Sequence, residues 1–344
     1  MAKPKIALYW CAACGGCEEA VVDFAEGILD VVAAVDIAFW PVAMDFKKRD
    51  VEALADGELA ATFLNGAIRT SEQEEIARLL RRKSRHLIAY GACAQLGGIP
   101  GLANQFSRER ILRYVYEESP TVANPMGTRP GTTRLADGSE LGLPEFRRGV
   151  RALDQVVAVD YFLPGCPPTP KLTRSAIDAL LADRLPPRGT VLAPDVALCD
   201  QCPRKGTRPS DLRLDKFRRP HEVKLEPDRC LLAQGVVCMG PATRGGCEAL
   251  CPSANMPCTG CFGPPSRVRD QGAKMLSSLS ANLAARERAD VAEALQGIPD
   301  PVGTFYRYGL ARSLLRRHAT AEADGNGPIS TREGVAPHPS TVQP

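Results

Sequence analysis

A chain of 344 residues is long enough for two domains, and its 44% hydrophobic and 24% charged residues are ordinary for a globular protein. A formal net charge of +3 and 6% aromatic residues argue against a nucleic-acid partner, so Arg81-Arg82-Lys83 and Arg316-Arg317 read as solvated helix faces. No apolar run reaches the ~20 residues of a membrane span, and Met1-Ala2-Lys3-Pro4-Lys5-Ile6 shows neither a signal core nor a twin-arginine leader; the expectation is a soluble, cytoplasmic protein, unless a partner exports it.

In chain order, the first part alternates strand and helix signals. Lys5–Trp10 is an apolar run rich in strand formers, and 17–35 has helical spacing in Ala20, Val21, Phe24, Ile28, Leu29 and Val32. Residues 36–42 read as a second strand and 60–66 as a third. A helix over 71–82 follows, opened by a capping box of Ser71 and Glu74. Residues 86–91 form a fourth strand and 156–164 a fifth, followed by a helix at Pro170–Leu181. Between the last two strands, 101–148 is a long excursion with a helix expected at 108–118 and a Pro/Gly/Thr-rich stretch at 120–142; such excursions serve binding more than packing. Strands alternating with helices predict an α/β fold, a flavodoxin-like doubly wound parallel sheet, with ligands beyond the carboxyl ends of its strands.

After Pro186-Pro187 the character changes. Residues 196–269 are rich in Cys, Pro and Gly and poor in periodicity, so no conventional core is expected there and bound metal must hold the segment together. A helix over 271–285 follows, and a shorter one ends near His318. The expected organisation is a sheet domain over 1–190, a Cys-rich, mostly irregular and helical metal-holding domain over 191–318, and a disordered tail over 319–344. No internal repeat of about 20 to 50 residues is present.

Thirteen cysteines stand against four histidines, His86, His221, His318 and His338, so any metal chemistry rests on sulfur. In a reducing cytosol, clustered cysteines read as metal ligands or catalytic thiols rather than disulfides. Cys14 and Cys17 follow the first strand, Cys93 the fourth and Cys166 the fifth, all at one edge of the expected sheet. Four thiolates converging there make a tetrahedral sulfur site, iron–sulfur or zinc. Gly15, Gly16, Gly91 and Gly165 let the backbone approach a bulky inorganic core and offer it N–H donors. A cysteine can also be no more than a small buried hydrophobe, and that is the reading for Cys11, which precedes the loop.

The second domain holds Cys199, Cys202, Cys230, Cys238, Cys247, Cys251, Cys258 and Cys261, with C-x2-C pairs at Cys199/Cys202 and Cys258/Cys261. Eight thiolates suit two 4Fe-4S clusters or two zinc sites. Proline after Cys202, Cys251 and Cys166, as in ferredoxin-type runs, favours iron–sulfur. A C-x-x-C-x-x-H nickel motif, a P-loop, a G-x-G-x-x-G after a strand and a G-x-S-x-G are all missing. No catalytic residue is assigned, and the pattern describes a wire rather than a reactor.

Tyr9-Trp10 with Cys14-Gly-Gly-Cys17, Tyr90-Gly-Ala-Cys93 with Gly97-Gly-Ile-Pro100, and Pro164-Gly-Cys166-Pro-Pro168 resemble the small subunit of nickel–iron hydrogenases, which shares its fold with a core subunit of respiratory complex I. Cys199-Asp-Gln-Cys202-Pro-Arg, Cys238-Met-Gly-Pro-Ala-Thr, Cys258-Thr-Gly-Cys261-Phe-Gly-Pro and Asp270-Gln-Gly-Ala-Lys274 are similar to the methyl-viologen-reducing type, associated with heterodisulfide reductase. The resemblance spans about residues 5–285; beyond it the chain reads as an extension. It implies three 4Fe-4S clusters as cofactors: a proximal one on Cys14, Cys17, Cys93 and Cys166, a distal one on Cys199, Cys202, Cys230 and Cys238 by order in the chain, and a medial one on Cys247, Cys251, Cys258 and Cys261. It implies as partners a nickel–iron large subunit, with electrons from H2 passing to an iron–sulfur/flavin acceptor subunit. The alternative is an electron carrier, or a subunit of a hydrogenase-related oxidoreductase whose partner lacks nickel. Glu18 and Glu19 flank the proximal site; they read as helix N-terminal carboxylates favoured by the dipole rather than as a proton relay.

Overall fold

The computed structural model describes residues 3–284 and 287–315. Its strands in chain order are β1 (Lys5–Trp10), β2 (Asp36–Phe39), β3 (Leu59–Asn65), β4 (Ile68–Thr70), β5 (Ser84–Tyr90), β6 (Thr133–Arg134), β7 (Glu140–Leu141), β8 (Phe146–Arg151), β9 (Tyr161–Leu163) and β10 (Thr190–Val191). Six of them form one parallel sheet in the order β10-β9-β5-β3-β1-β2. The chain order reverses between β1 and β3, as in flavodoxin-like sheets, so the carboxyl ends of β1, β3 and β5 open the crevice where such folds bind ligands. β3 is buried along nearly its whole length because helices cover both faces. One face packs Ile6, Leu8, Phe63, Ile88 and Tyr90; the other packs Ala7, Leu59, Leu64, Leu87 and Ala89.

The structure alters several expected elements. The helix over 17–35 is two helices, Gly16–Val22 and Ile28–Ala34, separated by a 3-10 turn at Ala25–Gly27 where Ala25 has φ 49°. The cap of the helix Ser71–Lys83 sits one residue earlier than Ser71. Thr70 Oγ1 accepts from Gln73 N (3.3 Å) and Gln73 Oε1 from Thr70 N (3.0 Å). Ser71 Oγ instead accepts from Glu145 N, and Glu74 pairs with Arg78 and Arg151. The fifth strand shrinks to Tyr161–Leu163. A sixth, β10, pairs only Thr190 and Val191, and β4 and β8 form a separate antiparallel ribbon. The helix expected over 108–118 is α-helical at Arg108–Arg113 and continues as a π-turn at Tyr114–Glu118.

The Cys-rich region has a conventional apolar core, against expectation. Leu198, Leu212, Leu214, Phe217, Leu232 and Met239 are buried against Met275 and Leu279 of the helix Gln271–Asn282 and against Ala294, Ile298, Phe305 and Leu310. Much of this core comes from beyond residue 269, so 196–269 alone lacks the apolar partners it packs against. Nor are residues 287–315 a loose extension. Gly98 N donates to Tyr308 O (2.9 Å) and Arg312 Nη1 to Gln95 O (3.1 Å), tying this segment to the helix Gly91–Leu96 of the sheet domain. Among the described residues no helix is long and apolar enough to cross a membrane. The expected tail over 319–344, and the end of the last helix at His318, lie outside the described residues.

Candidate metal centre: three groups of cysteines

The first group forms at the carboxyl edge of the sheet. β1 ends at Trp10; Cys11 N donates to Asn65 O and Ala12 pairs with Ala67, so the loop is fixed before it delivers Cys14 and Cys17. Gly15, at φ 90°, turns the chain into the helix Gly16–Val22, whose first turn carries Cys17. Cys93 occupies the first turn of the helix after β5, and Cys166 the turn after β9. The backbone around them leaves no room for side chains: a Cβ on Gly91 would lie well under 3.0 Å from Cys17 Sγ, and one on Gly98 equally close to Cys93 Sγ. Cys17 and Cys93 are buried, whereas Cys14 and Cys166 are exposed.

The thiols act on one another. Burial, then the charges of Cys93, Cys166 and Cys14, push the Cys17 thiol up. Burial, then Cys166 and Cys14, raise Cys93 to about 12; burial and Cys14 raise Cys166. Each protonated thiol can become a thiolate at neutral pH only if a cation takes the proton's place.

Cys199, Cys202, Cys230 and Cys238 form the second group. Burial raises Cys199 to about 12, with Cys238, Cys230 and Cys202 adding to the rise and Arg208 opposing it. Cys238 is raised to about 11 by burial and by Cys230 and Cys202, against the N–H groups of Gly240 and Cys258, the latter 3.3 Å from its sulfur. A Cβ on Gly240 would stand 3.1 Å from Cys199 Sγ and 3.7 Å from Cys238 Sγ, so this glycine lies between the two sulfurs.

Cys247, Cys251, Cys258 and Cys261 form the third. Burial raises Cys261 to about 12; the N–H of Cys166 lowers it and the charges of Cys247, Cys166 and Cys251 raise it. Cys258 is pushed well up by burial and by Cys238 and Cys261, against Gly260 N–H and the Thr243 hydroxyl. Cys247 is raised by burial and by Cys251. The third group touches both others: Cys261 feels Cys166 of the first, and Cys258 feels Cys238 of the second. In space it lies between them, although in sequence it comes last.

These couplings reach all twelve expected cysteines. Cys11 stands apart: it is buried, and Glu72, not another thiol, is the charge that acts on it. Glu18 departs from the surface-carboxylate reading. It is 3% exposed, accepting from Asn65 Nδ2 (2.9 Å) and Trp40 Nε1, and burial raises its pKa against those two bonds. Glu19 next to it is exposed. Sequence reasoning gives no role to Thr243, whose hydroxyl donates to Met239 O (2.7 Å) close to Cys258, or to Gln271, which donates to Thr243 Oγ1 (3.0 Å).

A mononuclear zinc site holds its sulfurs roughly 3.8 Å apart around bonds of about 2.3 Å. Among the described residues no three Cys, His, Asp or Glu side chains converge closely enough to grip one ion. Sulfurs that share a field without converging on a point, lined by glycines and N–H donors, fit a polynuclear cluster.

The family model described as NADH ubiquinone oxidoreductase, 20 Kd subunit, matches residues 14–180. The chain is 35% identical over 316 residues to an F420-non-reducing hydrogenase iron-sulfur subunit of Archaeoglobus profundus, covering 91% of this chain and 98% of that one. It is 38% identical over 316 residues to an F420-non-reducing hydrogenase subunit of Methanothermobacter thermautotrophicus, covering 91% and 96%. These matches are longer than the span 5–285, so the likeness continues into the segment that reads as an extension. In fold the chain is also similar to a recombinant [NiFeSe] hydrogenase structure from Desulfovibrio vulgaris Hildenborough, with a TM-score of 0.51 and 16% identity over 77% of this chain and 95% of that one.

Proposed function

Because the chain belongs to the small, electron-transfer subunits of nickel–iron hydrogenases of the F420-non-reducing type, we propose that it carries electrons from H2 oxidation through three 4Fe-4S clusters to an iron–sulfur/flavin acceptor. The observation that supports this reading is that twelve thiols act on one another in one linked row, with Cys258 N–H 3.3 Å from the Cys238 sulfur. In this proposal Cys14, Cys17, Cys93 and Cys166 hold the proximal cluster, Cys247, Cys251, Cys258 and Cys261 the medial one, and Cys199, Cys202, Cys230 and Cys238 the distal one.

Bound clusters of this type take up and release single electrons. The chain supplies thiolates as ligands, N–H groups at Gly240, Gly260, Cys166 and Cys258 that favour the charged sulfur, and buried surroundings that keep water away. Cys14 and Cys166 are exposed at one end, so a large subunit bearing the nickel–iron site would close over the proximal group. The complex is assigned to the cytoplasm because a reducing compartment keeps such thiols available.

Iron, nickel and zinc analysis of the anaerobically purified complex, with electron paramagnetic resonance, tests the proposal. About twelve iron atoms per chain are expected from three four-iron clusters, with nickel in the partner. Stoichiometric zinc in a colourless preparation would overturn it. Full iron with no nickel would leave the wire and remove the hydrogenase partner.

A further inference from the structure

Arg204 is buried, 4% exposed, in the Cys-rich region. Its Nη1 donates to Glu226 O (3.3 Å) and Arg229 O (3.2 Å), and its Nη2 to Pro252 O (2.8 Å) and Asn255 Oδ1 (2.9 Å). Nε has no partner, and among the described residues no carboxylate pairs with the guanidinium. A buried cation without a counter-charge is strongly destabilising, and neutral carbonyl oxygens offset only part of that cost. Arg244, the other deeply buried arginine of this region, does have its carboxylate, Asp195 at 2.8 Å. Arg204 therefore needs negative charge that ordinary side chains do not supply.

The groups that Arg204 holds show where that charge arises. It follows Cys202 by two residues; its acceptor Arg229 O immediately precedes Cys230; its acceptor Pro252 O immediately follows Cys251. One planar fork thus ties together two thiol-bearing stretches of the second group and one of the third. Thr207 adds to the same knot, since its hydroxyl donates to Arg204 O (2.9 Å) and accepts from Cys230 N (2.9 Å). We infer that Arg204 is a shared positioning residue whose fixed charge balances the thiolate groups on both sides. The inference rests on these groups holding iron–sulfur clusters, as proposed above.

A fixed positive charge favours the reduced, more negative state of a neighbouring cluster. The test compares Arg204→Gln and Arg204→Lys in the whole complex, by potentiometric titration followed by electron paramagnetic resonance and by iron content. Arg204→Gln is expected to move at least one second-domain cluster to lower potential by a tenfold change in its reduction equilibrium, 59 mV for one electron. Arg204→Lys, which keeps the charge and loses the fork, is expected to keep native potentials in the clusters it retains. A Gln complex with full iron and unmoved potentials would overturn the inference, as would equal iron loss in both variants, since lysine preserves the charge. Iron loss in Gln alone supports it. A wild-type complex without iron would instead remove the cluster reading on which the inference stands.

Discussion

Gly97→Ala is the substitution that best probes how the C-terminal segment is seated. Gly97 ends the helix Gly91–Leu96 at φ 92°, and a Cβ there would lie well under 3.0 Å from Ala311 Cβ and 3.6 Å from Ala311 Cα. Two costs combine. A left-handed non-glycine residue costs about 1–2 kcal/mol, and forcing apart packed groups costs about 1–3 kcal/mol. Ala311 cannot yield easily, because Gln155 Nε2 donates to its carbonyl (3.4 Å) and the next residue, Arg312, pairs with Asp154 at 2.9 Å. The expected loss is about 2–5 kcal/mol in all. Adding Ala311→Gly removes the colliding methyl and should return only the packing part, leaving the backbone strain. The assay is anaerobic thermal unfolding together with chymotryptic cleavage at Phe305, Tyr306 and Tyr308, which are buried in the seated segment. Cleavage should rise about tenfold or more in Gly97→Ala, as an opening made easier by over 1.4 kcal/mol requires, and fall back in the double variant. A double variant as labile as Gly97→Ala would refute the argument that this glycine exists to admit Ala311.

Cys93→Ser should remove iron from the proximal group and stop electron flow, while Cys11→Ala should keep full iron, because only Glu72 and burial act on Cys11; iron analysis of both variants decides it, and the reverse pattern would break the ligand assignment. The iron-free chain should lose stability in alkali. Cys93, Cys199 and Cys261 are raised from 9.0 to about 12, so folding holds their protons more tightly than the unfolded chain does. The stabilisation is complete below about pH 9 and is lost as pH rises towards 12, at about 1.4 kcal/mol per pH unit for each thiol that titrates only in the unfolded state. Urea titrations of reduced, iron-free protein at several pH values should show that slope, and iron-loaded protein, whose thiols are already deprotonated, should not.

The sheet and the thiol edge were legible because both rest on local signals: apolar runs mark β1, β3 and β5, and Cys14, Cys93 and Cys166 stand a few residues past strand ends. The helix Pro170–Leu181 was readable for the same reason, with Thr169 capping it and proline in its first turn. What local reading missed is held by distant partners. β10 exists because Thr190 and Val191 find an edge on β9. The core under the Cys-rich loops needs Met275, Leu279 and Phe305, which lie after the last cysteine. Thr70 rather than Ser71 caps its helix because Ser71 is engaged by Glu145, which no short window contains. The burial of Glu18 follows from Trp40 and Asn65, brought in by β2 and β3.

One hydrogen bond crosses between thiol groups, from Cys258 N–H to Cys238 sulfur at 3.3 Å, and across the other boundary the Cys166 N–H lowers the Cys261 thiol. In each case the backbone of one group's cysteine solvates a sulfur of the next. The three sets are consequently not interchangeable sockets filled one at a time. Disorder in a loop that carries one of these donors withdraws its N–H from the next group's sulfur. By the same geometry the support runs one way: the first group's backbone serves the third, and the third group's backbone serves the second.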